Sequence, residues 1–302
     1  MNSSLLSSPW WKVSGAVAAF ALAVPASAAV LATDSFEVGP ALDDVNGIYA
    51  LGATIEGTSP DTFGFGPTNA WTNSSGANFP TVAGGLTFAG YGGTGGAVEA
   101  TNTASNFQQT GRVVTADASP VTSQLFVSVL LNREAASINE VLTSAFLGRV
   151  GSTGGGPLEF GIIGDDFGVN FNTDSGNSFV RTAGSEYTPG ETVLLVLQVD
   201  INDAEGDDDT WYLYANPDTS SAPAVGDALL TGTGQLWDGD TTFGPAALRF
   251  VEPAGNVTDV TTTFTADELR IGTTFESVIP EPGSIGLLGL ASTLIFARRR
   301  KA

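Results

Sequence analysis

The fold is constrained most by a succession of short apolar or alternating runs, each bounded by Gly, Asn, Asp or Pro. Val, Ile, Thr, Phe and Tyr supply most of these runs, and such residues are enriched in β-strands. About a dozen runs at this spacing predict an all-β chain, an antiparallel sandwich or jelly roll. Clear examples are Gln124–Leu131, Leu158–Ile163, Thr192–Val199, Thr210–Tyr214, Thr261–Phe264 and Glu268–Ile271. Val193–Val199 is apolar on both faces, which predicts a central strand covered on both sides.

Two residue types are absent, and their absence excludes several kinds of chemistry. The chain has no Cys and no His. Ser-His-Asp triads, His-ligated zinc and thiolate sites are therefore excluded. A chain without disulfides must hold itself together by its core, and a body of this length can bury one large enough.

The first 28 residues have the pattern of a secretory signal peptide. Lys12 precedes the apolar run Val13–Val24, which is too short to span a bilayer. Pro25 ends the run, and Ala26-Ser27-Ala28 is a small-residue site at which signal peptidase would cut between Ala28 and Ala29. The alternative is a buried N-terminal helix.

The C-terminus has three parts in a fixed order. Pro280-Glu281-Pro282 precedes the apolar run Ile285–Ala297, and a basic cluster follows: Arg298, Arg299, Arg300 and Lys301. As a helix, residues 283–297 would span roughly 22 Å, less than the roughly 30 Å of the hydrocarbon core. The basic residues would remain on the cytoplasmic side of the membrane. The alternative is a plain C-terminal membrane anchor.

This tripartite tail resembles the PEP-CTERM sorting signal of Gram-negative bacteria. The resemblance implies recognition by a membrane-embedded exosortase, which removes the tail, in a bacterium that makes exopolysaccharide or biofilm. It divides the chain into a signal peptide (1–28), a β-sandwich (29–279) and a sorting signal (280–302) that holds the protein in the membrane before processing.

The body resembles exported concanavalin A-like, or laminin-G-like, domains in several segments. These are Asp34-Ser35-Phe36-Glu37 with Trp71, the middle strands, Asp207–Pro217 and the closing segment Asp267–Val278. The resemblance implies a jelly roll over most of residues 29–278.

The charge of the body limits its partners. Residues 29–279 contain 31 acidic residues and six Arg, a net charge of −25, and no Lys. A nucleic-acid-binding protein needs a basic face to release counterions from phosphates. Nucleic acid is therefore not an expected partner.

The strongest enzymatic hypothesis is a glycoside hydrolase, which needs two carboxylates facing one groove. Jelly-roll glucanases place acids at alternate positions of a strand, in an E-x-D-x-x-E string that this sequence lacks. Asp267 and Glu268 are adjacent, so strand alternation predicts that they face opposite ways, and Arg270 is expected to form a structural ion pair. We therefore predict a protein that is not an enzyme.

An acidic segment is the candidate metal site. Oxygen-bearing side chains cluster between two predicted strands, and calcium prefers such ligands. The spacing does not fit an EF-hand, so a solvated acidic hairpin loop is the alternative. The candidate calcium ligands are Asp200, Asn202, Asp203, Asp207, Asp208 and Asp209.

Sugar binding by aromatic side chains is the other candidate activity. Trp211 and Leu213 share one face of a strand, and Tyr212 and Tyr214 share the other. Tyr212 and Tyr214 are the candidate sugar-stacking pair. The sequence thus predicts an exported, non-enzymatic protein with a structural or glycan-binding role in extracellular polysaccharide. A calcium-dependent lectin or adhesin and a jelly-roll glycoside hydrolase are the alternatives.

Overall fold

The computed structural model describes residues 29–279, apart from several gaps. The gaps are residues 44–45, 47, 59–64, 66–69, 74–78, 90, 93–94, 103–107, 114–122, 135–141, 150–157, 174–175, 185, 203–208, 235–242 and 252–261. The predicted signal peptide (1–28), the predicted C-terminal helix Ile285–Ala297 and the basic cluster lie outside the described residues.

Two antiparallel sheets form the body, which confirms the predicted all-β sandwich. Sheet I has eight strands, ordered β17-β16-β15-β10-β19-β8-β5, with β1 also paired to β19. Its strands are β1 (Val30–Asp34), β5 (Thr81–Ala83), β8 (Gly96–Asn102), β10 (Gln124–Arg133), β15 (Val193–Asp200), β16 (Asp209–Ala215), β17 (Leu230–Gly234) and β19 (Thr262–Gly272).

Sheet II has seven strands, ordered β14-β13-β12-β11-β18-β9-β4. They are β4 (Thr72–Asn73), β9 (Gln108–Val113), β11 (Leu142–Arg149), β12 (Leu158–Ile163), β13 (Asp166–Thr173), β14 (Gly176–Arg181) and β18 (Phe243–Val251).

Short elements complete the body. Two small two-stranded sheets pair β2 (Val38–Gly39) with β3 (Tyr49–Ala50), and β6 (Thr87–Phe88) with β7 (Tyr91–Gly92). A 3₁₀ turn covers Val225–Asp227, and a single helical turn, α1, covers Phe275–Val278. Within the described part of the chain, no helix is long and apolar enough to cross a membrane.

The main core lies between the two sheets, and a smaller second core lies on the outer face of sheet I. In β15, Leu195 and Leu197 pack into the main core, while Leu194 and Val196 pack into the second core. This confirms the prediction that Val193–Val199 is a strand covered on both sides. The second core consists of Phe126, Leu130, Leu194, Val196, Tyr214, Phe275, Val278 and Ile279.

Candidate functional site

The candidate calcium segment joins β15 and β16, which pair as a hairpin. Asp200 accepts hydrogen bonds from the side-chain amides of Gln124 (2.9 Å) and Gln198 (2.8 Å). Asp209 is buried and accepts a hydrogen bond from the backbone N–H of Asn202 at 2.8 Å.

The calcium hypothesis stays a prediction, because the structure does not describe all of its candidate ligands. Asp203, Asp207 and Asp208 lie outside the described residues. Among the residues that are described, no group of three or more acidic side chains is arranged to hold a metal ion.

The candidate stacking pair lies on the outer face of sheet I. Trp211 and Leu213, which share one face of β16, are buried in the main core. Tyr214 is only 2% exposed, belongs to the second core and donates a hydrogen bond to Gln198 Oε1 at 3.3 Å. Burial, with the charge of Asp200 as the next cause, raises the pKa of Tyr214 to about 12. Tyr214 therefore does not form an exposed stacking surface, whereas Tyr212 is half-buried at the margin of the second core.

The adjacent carboxylates of β19 depart from strand alternation, so the prediction that they face opposite ways is wrong. A bulge lies opposite Val129, and Glu268 has a left-handed φ of 53°. Because Ala266 and Leu269 both pack into the main core, Asp267 and Glu268 lie together on the outer side of sheet I.

Each of these two carboxylates has its own partners. Asp267 accepts hydrogen bonds from the backbone N–H groups of Leu86 (2.8 Å) and Glu268 (2.7 Å). Burial first, and the charge of Glu268 second, raise the pKa of Asp267 to about 8. Arg270 pairs with Glu268 at 2.7 Å, which agrees with its expected structural role. Both carboxylates are buried and anchor neighbouring backbone and side chains.

The residues that carried the resemblance at the N-terminal end meet in a buried network. Tyr49 donates a hydrogen bond to Asp34 at 2.6 Å, and Trp71 donates to the Tyr49 hydroxyl at 2.8 Å. Arg112 pairs with Asp34 at 3.5 Å, with both side chains fully buried. Burial raises the pKa of Asp34 despite the lowering effects of Tyr49 and Arg112. The network joins β1 to β9 across the main core, so its role is structural.

A row of side chains on the outer face of sheet II runs from the buried Glu159 through the half-buried Asn170 to exposed residues of the edge strand β14. Glu159, Asn170 and Phe179 are direct cross-strand partners on β12, β13 and β14. Directly opposed residues of antiparallel strands share a face. Because Leu158, Phe160 and Val169 fill the main core, this row faces outward. Arg181, opposite Gly168, is exposed on the same face. We call Glu159, Asn170, Phe179 and Arg181 the outer row.

The outer row combines an exposed ring with oriented polar groups. Phe179 is 43% exposed. Its ring lies over Gly168, where an added Cβ would come within 2.8 Å of Phe179 Cζ. Asn170 donates a hydrogen bond to the buried carboxylate of Glu159 at 3.2 Å, which fixes the orientation of its amide. The sequence did not single out this row, because an isolated Phe between Ser178 and Val180 carries no signal of exposure until β14 is known to be an edge strand.

Residues at the C-terminal end of the described range overlap the sorting motif. Val278 and Ile279 are buried in the second core. The chain matches the family model of the PEP-CTERM protein-sorting motif over residues 278–301. This confirms the resemblance of the tail. The motif implies export to the cell surface and processing by an exosortase. A search of curated proteins found no match.

Solved structures with a similar arrangement of strands include enzymes and binding domains. The endo-β-1,4-glucuronan lyase from the fungus Trichoderma reesei is 12% identical, with a TM-score of 0.49, covering 76% of this chain and 97% of the lyase. The PL-14 alginate lyase from Aplysia kurodai is 11% identical, with a TM-score of 0.46, covering 60% and 84%. The botulinum neurotoxin serotype C1 binding domain is 11% identical, with a TM-score of 0.41, covering 70% of this chain and 46% of that chain.

These similarities correct one prediction made from the sequence. The prediction that the protein is not an enzyme is withdrawn, because sandwiches similar to this one include polysaccharide lyases. At 11–12% identity the similarities assign neither a reaction nor a ligand to this chain.

Proposed function

We propose that this exported protein binds extracellular polysaccharide through the outer row of sheet II. The observation that carries the proposal is the exposed ring of Phe179, which stands beside the oriented amide of Asn170. Carbohydrate sites commonly combine an aromatic surface with a few well-placed polar groups on a largely preformed surface. The sheet supplies that preformed surface, because β12, β13 and β14 are held in register by their ladders.

Each side chain of the outer row has a distinct task in this proposal. The apolar face of a sugar ring stacks on Phe179. The amide of Asn170, fixed by Glu159, offers both an acceptor and a donor to sugar hydroxyl groups. Arg181 adds N–H donors at the edge of the same face.

Two glycines shape the surface beside these groups. Gly161 and Gly168 are direct cross-strand partners, so no side chain rises from either position. The ring of Phe179 occupies the space above Gly168, next to Ile163. The ring therefore lies low on the sheet, where a long polymer can run over it.

The proposal is tested by measuring binding of the purified exported protein to a panel of neutral and acidic polysaccharides by calorimetry. Phe179→Ala removes the stacking ring. We expect the binding free energy to fall by about 1.4 kcal/mol, which corresponds to a tenfold weaker Kd. Asn170→Ala is expected to weaken binding in the same direction. The appearance of new reducing ends is followed in parallel, because a bound polymer that is cleaved would make the outer row part of an active site.

Tyr212→Ala is the matched comparison, because Tyr212 is a half-buried aromatic residue on the opposite sheet. We expect this variant to bind as the wild type does. Loss of binding in Tyr212→Ala with unchanged binding in Phe179→Ala would contradict the proposal and place the site on sheet I. Binding to no member of the panel would also contradict it.

A further inference from the structure

We infer that Phe275–Ile279 is a docked stop, a segment of the folded body that bounds the sorting signal and confines its processing to residues after Ile279. The inference rests on the sorting motif and is independent of polysaccharide binding. Its starting point is an overlap: the motif match begins at Val278, yet Val278 is 0% and Ile279 3% exposed. The first two motif residues are thus part of the body's core.

Apolar packing holds the docked stop on the outer face of sheet I. Phe275, Val278 and Ile279 contribute three of the eight buried residues of the second core. Their partners include Phe126 and Leu130 of β10 and Val196 of β15, which are central strands of the sheet. The docked stop therefore packs on central strands of sheet I, away from its edges.

Polar contacts fix the conformation of the same segment. Thr274 caps α1 by accepting from the Ser277 N–H at 3.2 Å, and Ser277 Oγ accepts from the Thr274 N–H at 3.2 Å. Ser128 of β10 donates a buried hydrogen bond to the Val278 carbonyl at 2.7 Å. Gly272 makes room for Ser277, because a Cβ at that position would overlap the serine. The carbonyl at the end of α1 is therefore satisfied by the sheet on which the helix packs.

Docking limits what a processing enzyme can reach. A peptide bond in a packed segment is cut only after that segment opens locally. The bonds from Phe275 to Ile279 are therefore protected, and Pro280-Glu281-Pro282 is the first part of the signal beyond the docked stop. Six peptide units join Ile279 to Ile285, and they extend at most about 22 Å. The folded body thus stays close to the apolar run until the chain between them is cut. After the cut, the docked stop remains part of the body.

Limited proteolysis of the full-length chain in detergent tests the inference. A protease that cuts before bulky apolar residues has sites at Phe275, Val278 and Ile279, and further sites in residues 285–297. Of these two groups of sites, only those in residues 285–297 are expected to be cut in the wild type, as read from the fragment masses. Ser128→Ala removes the bond to Val278 and is expected to raise the population of the opened segment about fivefold, the factor that corresponds to one hydrogen bond, so that cuts before Val278 and Ile279 appear.

Ser178→Ala, a serine change on sheet II, is the control and should leave the cutting pattern unchanged. Thermal unfolding of each variant separates local opening from failure to fold. A second measurement does not depend on whether the Ser128 variant folds. The wild-type protein is produced in cells that contain an exosortase, and the intact mass of the processed body should place its C-terminus at or after Ile279. Wild-type cutting at Val278, or a mature C-terminus before Ile279, would overturn the inference.

Discussion

At the scale of single residues, Asp267 is expected to make stability depend on pH. Its pKa is raised to about 8 by burial and by Glu268, whereas an unfolded Asp titrates near 3.9. Between these values the folded chain holds a proton that the unfolded chain has released, so the free energy of unfolding falls as pH rises. The slope is at most about 1.4 kcal/mol per pH unit.

Chemical denaturation at several pH values from 4 to 8 checks this prediction. Asp267→Asn is expected to flatten the slope, while exposed Asp218→Asn leaves it in place. Some slope remains in Asp267→Asn, because burial also raises the pKa of Asp34 and Glu56. Identical slopes in wild type and Asp267→Asn would show that Asp267 titrates normally in the folded chain.

Residue roles were predictable only where partners are near in sequence. Arg270 was expected to form a structural ion pair, and the partner that the structure gives it, Glu268, is only two positions away. The partners of Asp34 lie 15 positions away at Tyr49 and 78 positions away at Arg112, so only the fold brings them together. Tyr214 was a candidate sugar-stacking residue, because period-two alternation separates two faces but does not reveal that the second core covers the outer one.

At the scale of elements, the edge strand β17 is expected to depend on Gly232. A Cβ at Gly232 would come within 2.8 Å of Trp211 Cε2, and Trp211 is fully buried in the main core. Gly232→Ala must therefore move β17 or the indole, at an expected cost of about 1–3 kcal/mol. Gly226→Ala is the matched control, because a Cβ there meets nothing within 4 Å. The denaturation midpoints of the two variants are compared. Equal midpoints would show that β17 can shift to accept the added Cβ without a loss of stability.

Strand prediction succeeded in continuous apolar runs and failed where a ladder is irregular. β10 and β15 extend the predicted Gln124–Leu131 and Thr192–Val199 by two residues and one residue at their C-terminal ends. Thr261–Phe264 and Glu268–Ile271 were predicted as separate strands, but residues 262–264 and 268–271 belong to the single strand β19. The bulge at Glu268 shifts the alternation of inward- and outward-facing side chains along β19. The sequence of this single strand therefore shows the hydrophobic pattern of two shorter strands. Pairing with β10 on one side, and with β8 and β1 on the other, holds it together.

At the scale of the whole molecule, the charge of the body is expected to select among polysaccharides. The net charge of −25 over residues 29–279 opposes approach of a polyuronate, which carries a negative charge on each sugar. Two of the six Arg, Arg112 and Arg133, are buried, and Arg270 is paired with Glu268. With six Arg against 31 acidic residues, the body has few positive charges to offset this repulsion.

Salt dependence separates this long-range effect from contacts at the outer row. Screening shortens the reach of surface charge to about 8 Å at 0.15 M salt. Binding of a neutral glucan should thus change little with salt, whereas alginate should bind more weakly in dilute buffer and gain affinity as salt is added. Calorimetric titrations with both polymers at low and high salt measure the difference. Proteins that bind polyanions through basic groups lose affinity with salt, as counterion release requires. Tight alginate binding that weakens with salt would therefore reveal a local basic cleft around Arg181 that outweighs the charge of the body.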